Sequence, residues 1–269
     1  MFLSSESTTD IVNGDYGGQN SSKMIYAVFT TPRNSISANA ICAFRVRDIL
    51  DTFEGAFKEQ LTANSNWLPV PKIKEPSPRP GRCGLDSQNL SESGLRFVKS
   101  HSIMDEAVPS FFGGRPLFVS ANLQHPSQFR QMAVDPQVRT PGGHSFDVLY
   151  VGTTKGRILK IVNTAEANEG LAQRPVFIEE LVLHPAATPI DKLKVVRDEA
   201  GSRAKLVVLT KDQVAAVPLA RCSLLAKSCG VCIALQDPYC AWSVRDGQCV
   251  SLVNSDPDRL DAAAFLQVS

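Results

Sequence analysis

Five of the seven cysteines in this chain, Cys222, Cys229, Cys232, Cys240 and Cys249, fall within RCSLLAKSCGVCIALQDPYCAWSVRDGQCV, residues 221–250. No other feature restricts the fold as much. A segment this short buries too little apolar surface to hold itself together, so disulfides or a metal must help. Cys229-Gly-Val-Cys232 is a CxxC pair, and Cys240 and Cys249 could complete four thiolate ligands for zinc. Against zinc, Cys240 and Cys249 are separated by eight intervening residues and Cys222 is left over. A redox CxxC belongs between a strand and a helix of a βαβ unit, and no such unit surrounds Gly230 and Val231. A disulfide framework in an extracellular protein is therefore the better reading, with an intracellular zinc-binding scaffold as the alternative.

The same stretch carries a resemblance. CGxC, then Asp237-Pro-Tyr-Cys-Ala-Trp242 at fixed separation, then one more Cys, resembles the plexin–semaphorin–integrin (PSI) module that follows the propeller of semaphorins. The likeness runs from about Asp10 to Val250 through TDIVNGDYGG, IYAVFTTP, FKEQLTANSNWLPVP, PRPGRC, FVKSHSIMDEAVP, VRTPGG and FDVLYVGTTKG, and points to the invertebrate transmembrane class 1 group. It implies Cys222–Cys240 and Cys232–Cys249 bridges, with Cys229 pairing to a later cysteine beyond this chain. The family often has an acidic residue where Ser243 stands. It also implies upstream partners for Cys42 and Cys83, whereas the residues alone allow one Cys42–Cys83 bridge or two free thiols.

A net charge of +1 excludes a strongly basic nucleic-acid or membrane-surface protein, and 43% apolar with 20% charged residues is globular composition. No apolar run is long enough to span a membrane. MFLSSESTTD lacks the basic and apolar regions of a signal peptide, so the chain reads as a fragment whose secretory signal lies upstream.

From Met24 onward the periodic segments are short, β-branched and bounded by turn residues, which is strand patterning. One hairpin recurs three times: Ile25–Phe29 with Ala40–Phe44, Val148–Val151 with Arg157–Val162, and Leu206–Leu209 with Gln213–Val217. Phe129–Asp135 and Phe177–Leu183 extend the second to four strands, and Leu193–Arg197 extends the third to three. Repeated antiparallel units favour propeller blades over a β-sandwich. The expected fold is mainly β: the last two to three blades of a propeller with a helical insertion, then a small cysteine-rich module. The expected domains are 1–219, with an extrusion at 45–115, and 220–269. Two to three blades cannot close a ring, so the chain alone is expected to expose strand edges and to aggregate or unfold.

Within the insertion, Val46, Ile49, Leu50, Phe53 and Phe57 predict an amphipathic helix over Arg45–Gln60, weakened by Gly55. The five prolines of Asn66–Gly84 exclude regular structure there, and a second helix is expected over Ser93–Ser102. By resemblance, this insertion serves dimerisation and receptor contact.

No catalytic set is present. His101, His125, His144 and His184 form no HxH or HxxxH pair, and no nucleotide-binding or hydrolase motif occurs. Gly113-Gly114 and Gly142-Gly143 read as turns, Asp105-Glu106 as a solvated helix end, and Asp237-Pro238 as a turn within the knot. Asn20 and Asn89 open N-glycosylation sequons. The chain is therefore expected to be a binding module rather than an enzyme, without cofactor, metal, nucleic acid or small-molecule substrate. The resemblance implies an extracellular or cell-surface guidance ligand that binds a plexin receptor ectodomain and forms a homodimer. The parent is expected to be a single-pass membrane protein. The alternative within the same architecture is the receptor side, which PRPGRC and FVKSHSIMDEAVP disfavour.

Overall fold

The structure is a computed structural model. It describes residues 4–14, 16, 21–32, 35–81, 91–121, 127–164, 175–183, 188–198, 204–253, 255 and 261–267. Strands β1 (Ser4–Thr8) and β2 (Val12–Gly14) both pair with β3 (Ser22–Thr30), which pairs with β4 (Asn39–Arg45). The chain then forms α1 (Val46–Phe53), β5 (Phe57–Glu59), β6 (Leu68–Pro69), α2 (Glu92–Ser100) and β7 (Ile103–Met104). It returns through β8 (Phe118–Ser120), which pairs with β4 and completes the first sheet. A four-stranded meander follows, β9 (Phe129–Arg139), β10 (Ser145–Thr153), β11 (Arg157–Asn163) and β12 (Val176–Val182). The third sheet has three strands, β13 (Ile190–Arg197), β14 (Ala204–Thr210) and β15 (Val214–Pro218). Helices α3 (Cys222–Leu225) and α4 (Cys229–Ala234) and strands β16 (Cys240–Ser243), β17 (Gln248–Ser251) and β18 (Phe265–Leu266) make the cysteine-rich module.

Two compact units result, residues 1–43 with 110–269, and residues 44–109. Each recurrent hairpin of the sequence belongs to a different sheet of the first unit, the first two at the centre of theirs and the third ending its sheet at β15, so the mainly β, blade-like architecture is present. Patterning explains the layering. SFDVLYVGT reads as a nearly continuous apolar run because β10 is buried on both faces, Leu149 and Val151 towards the first sheet and Val148 and Tyr150 towards the third. By contrast, AKLVVLT alternates, and β14 buries Leu206 and Val208 while its other face stays open. Gly152 is required where the second and third sheets meet: a Cβ there would stand 2.7 Å from the Ile190 side chain.

The seam between the first two sheets has a polar centre. Asp147 in β10 is buried, and one carboxylate oxygen accepts from the hydroxyls of Tyr16 and Tyr26, both at 2.6 Å. The other accepts from the backbone N–H and the side-chain amide of Gln137, at 2.9 and 3.1 Å. Asn163 donates in turn to the Tyr26 oxygen at 2.8 Å. Gln137 reaches Asp147 from a bulge, where Pro136 and Gln137 of β9 oppose Asp147 alone, and its φ is +52°. A left-handed non-glycine residue costs about 1–2 kcal/mol, which the paired donors offset.

The 44–109 unit departs from its expected elements. Its first helix ends at Phe53, with Glu54 as C-cap, and Phe57 starts a strand instead of a fourth helical turn. Among its described residues, the proline-rich stretch holds two short regular pieces, β6 and a single 3-10 turn at Lys72–Lys74. The second helix spans Glu92–Ser100, its N-cap Ser91 accepting from Gly94 N–H. Asp105 does not end a helix; it follows β7 and ion-pairs with Lys58 at 3.3 Å.

Candidate functional site: a buried polar joint beneath the cystine module

The cysteine-rich module is cross-linked by Cys222–Cys240 and Cys232–Cys249, with Cα separations of 5.5 and 5.7 Å. The four cysteines are buried around Ala226, with Leu235 and Trp242 packed against them. Cys229 opens α4 as a half-buried free thiol. Cys42 is likewise free and half-buried in β4, and burial pushes its thiol above the ordinary range. Cys83, Asn20 and Asn89, together with His125 and His184, lie outside the described residues. His101 stacks on Phe97 and His144 on Phe146.

Where the module meets the second sheet, the contact is charged and buried. Lys160 of β11 and Asp237 form an ion pair whose side chains are both 0% exposed. Lys160 Nζ also donates to the Leu219 carbonyl at 2.8 Å and lies 4.7 Å from the centre of the Tyr239 ring. Tyr150 donates to the same carbonyl at 2.9 Å. Around this centre, the Tyr239 hydroxyl and the Arg197 guanidinium both donate to Asp135. Arg221, the residue that enters the module, clasps Glu179 of β12 through Nε at 2.9 Å and a second guanidinium nitrogen. Three cations thus meet three carboxylates, drawn from β9, β11, β12, β13 and the module.

The electrostatics follow from burial. Desolvation pulls the Lys160 ammonium below the usual lysine range, and the Asp237 charge opposes that pull. Burial raises the phenols of Tyr150 and Tyr239, so both stay neutral donors. The bond to Asp135 raises the Arg197 guanidinium further. On the module side, Asp237 also accepts from Tyr239 N–H at 3.1 Å. The Gln267 amide donates to the carbonyls of Asp237, Pro238 and Cys240 at 3.1, 3.1 and 2.9 Å, tying the third strand to the same turn. Nothing here is poised for bond making. The arrangement fixes one body against another, because a buried ion pair tolerates little displacement without leaving a charge unpaired.

Cysteine density pointed to the module of this site, and the family resemblance implied its bridges, but neither pointed to its ionic centre. Asp237-Pro238 reads as a turn, and the carboxylate turns out to be half of the buried pair. The available signal was Lys160, a lone charge inside the apolar strand RILKIVN.

The 44–109 unit has its own keystone in Arg79 of PRPGRC. Its guanidinium lies 4.5 Å from the centre of the Phe57 ring, pairs with Glu75 and donates to the carbonyls of Phe53 and Gly55. Phe57 meets Phe97 edge to face at 5.1 Å. Outside this small core, Leu50, Phe53, Leu61, Leu68 and Ile73 are exposed.

Residues 8–197 match the Sema domain family, and residues 221–262 match the Plexin repeat family. The chain is 48% identical over 252 residues to Semaphorin-1A of Schistocerca americana, covering 93% of this chain and 34% of that protein. Among solved structures, Drosophila Semaphorin 1a, extracellular domains 1-2, superposes with a TM-score of 0.82 at 46% identity, covering 98% of this chain and 50% of that one. A chain of Drosophila Plexin A in complex with Semaphorin 1b matches with a TM-score of 0.80 at 37% identity, again covering 98% of this chain and 50% of that one. The chain therefore spans about a third of that curated relative and half of those solved chains.

Proposed function

The chain belongs to the semaphorin family, and on that premise we propose that it is part of an extracellular guidance ligand that binds a plexin-type receptor ectodomain. The observation that carries this reading is the fold match, over 98% of the chain, to a structure of Plexin A in complex with Semaphorin 1b. Residues 1–219 serve as the C-terminal part of a sema propeller and residues 220–269 as the module that follows it. The buried joint gives the function a physical basis: a broad sheet surface presented to a receptor must be held at a fixed angle to the cystine module. Cross-links and a desolvated ion pair supply that stiffness. Homodimerisation through the 44–109 unit is part of the same proposal, supported by the apolar side chains that unit leaves exposed. Among the described residues no helix is long and apolar enough to cross a membrane.

The test is binding of the intact protein to immobilised plexin ectodomains by surface plasmon resonance. Saturable binding is expected, and no binding to any plexin ectodomain would overturn the proposal. Cys240→Ser in the intact protein is expected to reduce secretion, because it opens the Cys222–Cys240 bridge beside Asp237. Unchanged secretion with unchanged receptor binding would count against the role given to the joint.

A further inference from the structure

Two buried carboxylates lie on opposite faces of the second sheet, one register step apart. Val148 of β10 stands opposite Asp135 of β9, and Asp147 is the next residue, so its side chain points to the other face. Asp135 holds Tyr239 of the cystine module and Arg197 of β13. Asp147 holds Tyr16, which lies between β2 and β3, and Tyr26 of β3. Between them on β9 lie only Pro136 and Gln137, the two residues of the bulge.

From this juxtaposition we infer that the Asp135–Gln137 bulge is a conformational coupler. It makes the seating of the N-terminal segment and the seating of the cystine module one cooperative event. The physical reason is the combination of a strained residue and a stiff one. Gln137 stays in the left-handed region because both its backbone N–H and its amide are engaged by Asp147. Gly14 makes room for that amide, since a Cβ at Gly14 would stand 2.5 Å from Gln137 Nε2. If the tyrosines release Asp147, its carboxylate loses the anchors on one oxygen, the two bonds that its other oxygen makes to Gln137 loosen with it, and Gln137 relaxes towards extended backbone. Pro136 cannot absorb that rotation, because its ring fixes φ, so the movement passes to Asp135 and to the Tyr239 and Arg197 bonds it holds. Loosening at the module travels back along the same two residues, as the reciprocity of coupled equilibria requires. The inference rests on the reading that a stiff joint serves the protein, and it adds which distant segment controls that stiffness.

Hydrogen exchange of the intact protein, read by mass spectrometry, tests it. Tyr16→Phe and Gln137→Val each remove a support of the bulge without touching the module, and each should speed exchange across residues 238–243 by about fivefold or more. Tyr239→Phe should speed exchange across residues 24–28 in return. Gln137→Gly keeps the left-handed backbone and its N–H bond, so module exchange should stay within about twofold of the parent. Asn39→Ala loosens the first sheet from Phe129 and Ser127, upstream of the bulge, and should leave the module unchanged. Unchanged module exchange in Tyr16→Phe overturns the inference, including where Gln137→Val is not secreted. So does acceleration by Asn39→Ala or Gln137→Gly equal to that by Tyr16→Phe. These readouts involve no receptor, so loss of coupling and loss of receptor binding are separate results.

Discussion

At the scale of single residues, Lys160 and Asp237 decide how much the joint can give. Each is fully buried, so removing one partner leaves the other charge without solvent or counterion. Lys160→Met should destabilise the intact protein by about 3–5 kcal/mol in chemical denaturation. Adding Asp237→Asn should recover part of that loss, because the orphaned charge goes with it; a single variant within about 1 kcal/mol of the parent would show that the pair is not isolated from water. The buried phenols make a second prediction. Burial is the largest cause that raises Tyr16, Tyr26, Tyr150 and Tyr239 above the ordinary value of 10.0. A folded-state value above the unfolded one means that the native state keeps its proton while the unfolded chain loses it. Stability is then intact below pH 10 and falls as pH rises past it, by up to about 1.4 kcal/mol per pH unit for each such tyrosine. Denaturation midpoints measured from pH 9 to 11 should fall less steeply in Tyr16→Phe and Tyr239→Phe, and an unchanged slope would remove these phenols from the account. Residue-scale features were the least legible in the sequence. Cysteine spacing and motif pointed to the module, but no local pattern pairs Lys160 with Asp237 across 77 positions or Tyr16 with Asp147 across 131. Those partners are set by how strands stack, which periodicity does not encode.

At the scale of elements, strands with clear periodicity were legible and those without it were not. The three recurrent hairpins stood out because their residues are β-branched and their turns carry threonine, whereas β1, β2 and β8 are short, unpatterned edge strands recruited by their neighbours. The helix expected over Arg45–Gln60 shows how two periods are confused. Phe57 continues the helical spacing of Val46, Ile49, Leu50 and Phe53, yet the chain leaves the helix at Glu54 and Phe57 faces inward from a strand. What sets Phe57 in place is Arg79, which lies on its ring and takes the carbonyls of Phe53 and Gly55 at the helix end. A lysine at 79 keeps the charge and loses the planar fork. Arg79→Lys should therefore cost about 1.5–3 kcal/mol within the 44–109 unit. Limited proteolysis should cut this unit faster while the cystine module stays protected; equal protection of both would mean that Arg79 is replaceable.

At the scale of the whole molecule, the layering argues for what this chain does alone. The first and second sheets close on one apolar core, and the second, the third and Tyr239 of the module close on another. The far face of the third sheet has no such cover among the described residues. Register places Lys192, Leu209 and Val214 side by side on it, followed by Lys194, Val207 and Ala216 and then Val196, Lys205 and Pro218. Leu209, Val214 and Val196 are exposed there, and the outer edge of β15 pairs with no strand among the described residues. The lysines of β13 and β14 oppose association of that face with a second copy by like charge, and Pro218 interrupts donation at the end of the β15 edge. Salt weakens the first of these defences, since screening shortens the reach of surface charge to about 8 Å at physiological ionic strength. The 269-residue chain, expressed alone, should accordingly form soluble aggregates that grow with salt, while Val214→Lys and Leu209→Lys together shift it towards monomer. Light scattering at low and high salt separates the outcomes. A monodisperse chain with a cooperative melt at both would mean that the third sheet is self-sufficient and that its open face needs no covering.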